Sequence, residues 1–185
     1  MKLLVTPRLL MRPFVESDLD DLSALFADPA VMQFIGPPDM LTPSKAADRL
    51  HEMIVDLEAN GYGMLAVIER REKRFIGRCG LMKLDGSNEI ELDFILSKDA
   101  WGKGFATEAA KEVLRYAFNV LKLPRIVGIT HPRNLASQRV LEKLGMKHTA
   151  GRKHYHGMES VKYVIDNTVP KPFAYTSRLS SLAYL

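Results

Sequence analysis

The feature that most constrains this chain is the stretch Ala100 to Ala110, A-W-G-K-G-F-A-T-E-A-A. An apolar run ends just before it, and a long helical pattern begins inside it. A strand that feeds a glycine-rich turn and then a helix leaves the first helical N–H groups without backbone acceptors, and the helix adds partial positive charge at the same place. Gly102 and Gly104 carry no Cβ, so a ligand could approach the main chain. The dinucleotide fingerprint needs a third glycine at 107, where Thr107 stands, and the P-loop needs Ser or Thr after Gly-Lys, where Gly104 stands. An anion cradle and an ordinary turn before a helix both remain open from these residues alone.

The flanking patterns are those of a mixed α+β chain. Leu9 to Phe14 predicts a strand. Ser17 predicts a helix cap, with Leu19, Leu22 and Phe26 on the buried face behind it. Thr42-Pro43 predicts the start of a helix that Asn60-Gly61 ends. Strands follow at Gly63 to Glu69, Phe75 to Leu84 and Glu89 to Leu96, with Asp85-Gly86 as a hairpin turn. In the third of these, Glu91 and Asp93 alternate with Leu92, Phe94 and Leu96, which puts both carboxylates on one face. Gly104 to Leu121 reads as a long helix and Arg125 to Thr130 as a strand. Asn134 reads as the cap of a helix running to Leu144. Met146 to Arg152 and Val161 to Ile165 predict two last strands. The reading is one domain over 1–166 and a tail over 167–185.

At 185 residues and 46% apolar, the chain can build a sizeable core. No apolar run reaches the roughly 18 residues of a membrane span, and Pro7 and Arg8 interrupt the short apolar start, so a cytoplasmic protein is expected. The lone cysteine, Cys79, lies in a strand pattern and reads as a small core residue. The net charge of +4 suits an anionic ligand, but Lys and Arg are dispersed, so no nucleic-acid partner is expected. His154-x-His156 offers too few ligands for a metal. A homodimer is possible through the tail.

Four stretches, T-P-R-L-L-M-R-P-F at 6–14, I-E-L-D-F-I-L at 90–96, W-G-K-G-F-A-T-E-A at 101–109 and N-L-A-S-Q-R-V-L-E-K-L-G-M at 134–146, occur in this order and spacing. With the order of elements they resemble the GNAT superfamily of acetyl-CoA-dependent N-acyltransferases. More narrowly they resemble its RimJ/RimL-like branch, whose name-givers acetylate the N-termini of ribosomal proteins. The resemblance implies a mostly antiparallel twisted sheet of about seven strands flanked by about four helices. It implies that Trp101, Gly102, Lys103, Gly104, Phe105, Ala106 and Thr107 surround the pyrophosphate of coenzyme A. The strand of Phe94, Ile95 and Leu96 would splay from the strand of residues 125–130 to admit the pantetheine arm, with Asn134 and Ser137 along it.

The implied reaction is attack of a primary amine on the thioester. It needs a base, for which the resemblance implies Glu91, and a donor to the developing oxyanion, for which an N–H at Phe94 or Ile95 is suited. Many relatives place a tyrosine four residues before the glycine at 145 as acid to the leaving thiolate; here that residue is Leu141. Ser137 could take that part, or the thiolate could leave unaided, since a thiol of pKa about 8.5 leaves tolerably near neutral pH. Asp93 could assist Glu91 or contact the amine. Phe34, Ile35, Tyr62, His131, Tyr155 and His156 are expected around the acceptor, which is a protein N-terminus or a small amine. The missing tyrosine leaves a second reading, an acyl-CoA-binding module without chemistry.

Overall fold

The computed structural model describes residues 3–35, 42–84, 86–150, 153–155 and 157–167. His156, Asp85, the Gly36-Pro37-Pro38 break and the tail from 168 onward lie outside these residues. Element order is β1 (Leu4–Val5), β2 (Leu9–Arg12), α1 (Leu19–Ala27), α2 (Pro29–Met32), α3 (Ala46–Asn60), β3 (Met64–Glu69), β4 (Arg74–Lys83) and β5 (Ile90–Leu96). Then come α4 (Phe105–Asn119), β6 (Arg125–Thr130), α5 (Leu135–Lys143), β7 (Lys147–His148), β8 (Lys153–Tyr155) and β9 (Met158–Asp166). The described residues thus hold nine strands and five helices, where about seven and about four were expected. The two added strands are short: β1 has two residues and β8 three, and the fifth helix, α2, is a single turn begun at Asp28-Pro29, with Asp28 accepting from the Ala30 N–H at 2.8 Å.

Other boundaries moved for local reasons. Ser17 does not cap a helix. A 3-10 turn at Glu16–Asp18 precedes α1, because Asp18 turns its carboxylate back to the Val15 N–H and to Arg12. Of the strand expected over Met146 to Arg152, the described residues give ladder pairing with β9 at Lys147 and His148, and the Thr149 N–H adds a bond to the Lys162 carbonyl at 2.9 Å. Residues 153–155 instead form a hairpin with β9, which begins at Met158 rather than Val161.

The sheet runs β1-β2-β3-β4-β5-β6-β9-β7, with β8 on β9. Every pairing is antiparallel except β5 with β6, which is parallel. One face packs on α4 through Leu92, Leu96, Ala109, Ala110, Val113 and Leu114. Of these, Ala109, Ala110, Val113 and Leu114 belong to the apolar stripe expected of the long helix. The other face packs under α1 and α3 through Met64, Ala66, Ile95, Leu22, Phe26, Leu50 and Met53. Two packed faces place the ends of β5 between the layers, and the site develops there. No helix among the described residues is long and apolar enough to cross a membrane.

Candidate active site

β5 carries the chemistry-bearing positions because its two edges are treated differently. On the β4 side the ladder is complete from Ile90 to Leu96. Ser97 N–H donates to the Ile76 carbonyl at 2.9 Å and Leu84 N–H to the Glu89 carbonyl at 2.9 Å. In an antiparallel ladder the exchanged pairs alternate, so Glu91, Asp93 and Ile95 spend their main-chain groups on β4. Leu92, Phe94 and Leu96 therefore point theirs toward β6. There the pairing consists of one bridge, Glu91 with Val127, and the strands part beyond it. Phe94 is the first residue after the bridge whose N–H faces the gap without a ladder partner among the described residues. Of the two expected donors, Ile95 is occupied.

The gap ends at the glycine turn. Leu96 offers its carbonyl to the Trp101 indole N–H at 2.8 Å, which fastens the turn to the end of β5. A 3-10 turn at Lys98–Ala100 follows. The Ser97 hydroxyl, then the Arg74 guanidinium, hold the Asp99 carboxyl below its ordinary range. Gly102 and Gly104 adopt φ of +73° and +79°, the left-handed region that favours glycine. Among the described residues, Trp101 N–H bonds to the Lys98 carbonyl and Glu108 N–H to that of Gly104. Between these two, the N–H groups of 102 through 107 find no backbone acceptor among the described residues. A Cβ at Gly102 would meet nothing within 4 Å, so the approach is open. These residues suit a pyrophosphate: uncapped donors, a helix N-terminus and no side chain in the way. Lys103 is exposed and adds charge.

On the α3 side of β5 lies a cavity of about 490 Å³. The structure brings Phe34, Tyr62, Glu91, Asp93, Phe94, Asn134 and Ser137 together on its walls, with Ile35 beside them. Glu91 is 3% exposed, so its carboxylate is a buried group rather than a solvated strand residue. Asp93 is ion-paired with Arg78 at 2.7 Å. Asn134 caps α5 by accepting from the Ser137 N–H at 3.1 Å and also faces the cavity. Leu141, at the position where the resemblance implied a tyrosine in many family members, is 1% exposed and packs against Gly128 of β6.

Two expected wall residues sit elsewhere. His131 is behind Phe34, stacked on it at 5.3 Å between ring centroids, and its Nδ1 accepts from the Arg133 N–H at 3.1 Å. Tyr155 is on the β8–β9 hairpin, where the Lys162 ammonium lies 6.0 Å from its ring, and it does not line the cavity. Ile95 and Leu96 have their side chains buried in the two core layers, and with the Ile95 main chain bonded to β4 only the main chain of Leu96 faces the gap.

The sequence reading missed Arg78, Arg49, Glu52 and Asp56, which also line the cavity. Arg78 had a signal, a cation inside the otherwise apolar run F-I-G-R-C-G-L. The residues of α3 had none beyond lying off its apolar stripe. Cys79, next to Arg78, is fully buried, and burial together with the nearby Asp93 charge pushes its thiol far up, which excludes it as a nucleophile. Among the described residues no cluster of His, Cys, Asp and Glu could hold a metal.

A splayed β5–β6 pair next to a turn of free amides is the arrangement that the motif resemblance implied. The model of the acetyltransferase (GNAT) domain matches residues 8–147 of this chain. The chain belongs to the GNAT acetyltransferase family. An N-acetyltransferase of Bacillus licheniformis, named Uncharacterized N-acetyltransferase p20, is 32% identical over 149 residues, 80% of this chain and 83% of the relative. The crystal structure of an acetyltransferase from Agrobacterium tumefaciens superposes with a TM-score of 0.76 at 26% identity, covering 89% of this chain and 94% of that one. RimL, the ribosomal L7/L12 α-N-protein acetyltransferase solved with coenzyme A, superposes with a TM-score of 0.74 over 89% of this chain and 98% of its own. At 17% identity that likeness speaks for the fold alone. As a GNAT acetyltransferase, this chain is an N-acyltransferase dependent on acetyl-CoA.

Proposed function

We propose that this GNAT enzyme transfers the acetyl group of acetyl-CoA to the primary amine of a small molecule. The observation that carries the acceptor class is the 490 Å³ cavity beside Glu91. That volume is of the size that encloses small ligands. On its walls Glu52, Asp56, Glu91 and Asp93 outnumber Arg49, Arg78 and Lys83 by one charge, which favours a cationic guest.

Acetyl-CoA supplies the activated thioester. The N–H groups of 102–107 and Lys103 hold its pyrophosphate. The open edge of β5 receives its arm, with Asn134 and Ser137 on the far wall. The incoming amine is an ammonium ion at neutral pH, with a pKa of about 8 or above, so it must lose a proton before it can attack. Glu91, buried on the cavity wall, takes that proton. The Phe94 N–H, aimed into the gap, stabilises the negative charge that develops on the thioester oxygen. As the amide forms, its nitrogen sheds a second proton; Ser137, on the cavity wall, passes a proton to the leaving thiolate and recovers that one, so that CoA departs as the thiol.

The test is release of free thiol from acetyl-CoA with a panel of small amines and of peptides with free N-termini. Saturable turnover with small amines is expected. Glu91→Gln should lower kcat by about 10²- to 10⁴-fold, the range of a positioned base. Turnover confined to peptides would overturn the acceptor class. Tight binding of CoA with no turnover on any amine would leave a binding module in place of an enzyme.

A further inference from the structure

The T-P-R stretch near the start of the chain lies against the glycine turn and the first turn of α4. In the structure it reaches the glycine turn from 95 positions away. Arg8, in the β1–β2 turn, donates from Nη1 to the carbonyl of Lys103 at 2.9 Å. Its Nε and Nη2 both bind Glu108 Oε2, at 2.7 and 2.6 Å, and its backbone N–H binds Glu108 Oε1 at 3.0 Å. The Thr6 hydroxyl donates to the same Oε1 at 2.6 Å. The guanidinium also lies over the Phe105 ring, 4.6 Å from its centroid. Each of these Arg8 side-chain contacts therefore ends on residues 103, 105 or 108, at the glycine turn and the start of α4, while the Arg8 carbonyl accepts from the Arg70 N–H at 2.9 Å.

The geometry points to Arg8 as a positioning residue for the acyl-CoA pyrophosphate. It rests on the reading of the turn as the cofactor site. A trans peptide is planar, with its C=O and the following N–H pointing in opposite directions. Drawing the Lys103 carbonyl toward Arg8 turns the Gly104 N–H the other way, outward from the β1–β2 turn. Gly104 is free enough, at φ +79°, that nothing within its own backbone would fix that plane. The same guanidinium neutralises Glu108, a carboxylate in the first turn of α4 that would otherwise repel an anion at that helix end. Both effects need the fork of Arg8, with one arm on a carbonyl and two nitrogens on a carboxylate. A lysine has the charge but not the fork.

The experiment is calorimetric titration of wild type, Arg8→Met and Arg8→Lys with CoA and with pantetheine, which lacks the nucleotide and its pyrophosphate. Thermal melts accompany it to show that each variant is folded. The ratio of CoA to pantetheine affinity should fall about tenfold in both variants. An unchanged ratio, including equal weakening toward both ligands, would overturn the inference. So would restoration of the ratio by Arg8→Lys, because charge alone would then suffice. Arg8→Lys keeps the test open should Arg8→Met fail to fold. Wild-type protein that binds no CoA would instead sink the reading of the turn itself.

Discussion

Replacing Asp18 with asparagine tests how the α1 layer is fixed over the sheet. Asp18 is 3% exposed and takes three hydrogen bonds. Two come from Arg12 of β2, Nη1 and Nη2 each at 2.7 Å, and one from the Val15 N–H at 2.9 Å. Burial pushes its carboxyl up, and the Arg12 fork, the Val15 N–H and the Arg12 charge together bring it below the ordinary value. Breaking a buried ion pair on one side costs about 3–5 kcal/mol. Arg12 retains 28% side-chain exposure and asparagine keeps an oxygen for Val15, so the expected loss is about 2–3 kcal/mol. For a chain of this length that lowers Tm by about 4–12 °C. A depressed carboxyl stabilises the fold above its unfolded pKa of about 3.9, and the contribution is lost as pH falls through the folded value. Urea denaturation of both proteins should therefore show the full gap at pH 7 and a closing gap toward pH 3. A gap under about 1 kcal/mol at pH 7, or one that does not change with pH, would refute the argument.

Other outcomes follow from single features. Trp101 is the chain's one tryptophan and is tied to Leu96 beside the turn, so titration with CoA should shift or quench its emission. Gly80→Ala places a Cβ 2.2 Å from the Gly63 carbonyl oxygen and 2.7 Å from the Met64 Cα, main-chain atoms at the start of β3 that cannot yield. A stability loss of about 3 kcal/mol or more in chemical denaturation is expected, at the upper end for overpacking. Asn134→Ala removes the cap of α5 and should cost about 1 kcal/mol by the same measurement. Cys79, buried with its thiol pushed up, should react with a thiol reagent only as fast as the protein unfolds, so labelling in native buffer and in rising urea checks it.

How much of this was legible in the chain depends on the range of the interaction. The glycine turn, the Asn134 cap, the αL end of α3 at Gly61 and the alternation of Glu91 with Asp93 are local patterns, and each lies where its residues place it. The splay of β5 from β6 was implied by resemblance, and the lone Glu91–Val127 bridge bears it out. Ser17 was expected to cap a helix, but the residue that organises this turn is Asp18. Its real partner, Arg12, is on a neighbouring strand, and no local rule reports that contact. Arg8 with Glu108 is the same problem over a greater separation. Arg78 was visible as an odd cation in an apolar strand, but its partner Asp93 lies diagonally across the ladder, two residues from the one opposite it. Tyr155 and His131 were misplaced because hairpin and loop geometry, rather than residue type, decides which way they face.

The lone parallel bridge also bears on mechanics. A sheet joined at its middle by one rung behaves as two panels meeting along a seam, with β1–β5 on one side and β6, β9 and β7 on the other. A guest strand laid into that seam would act as mortar between the panels. Occupancy would then stiffen strands that never touch the guest.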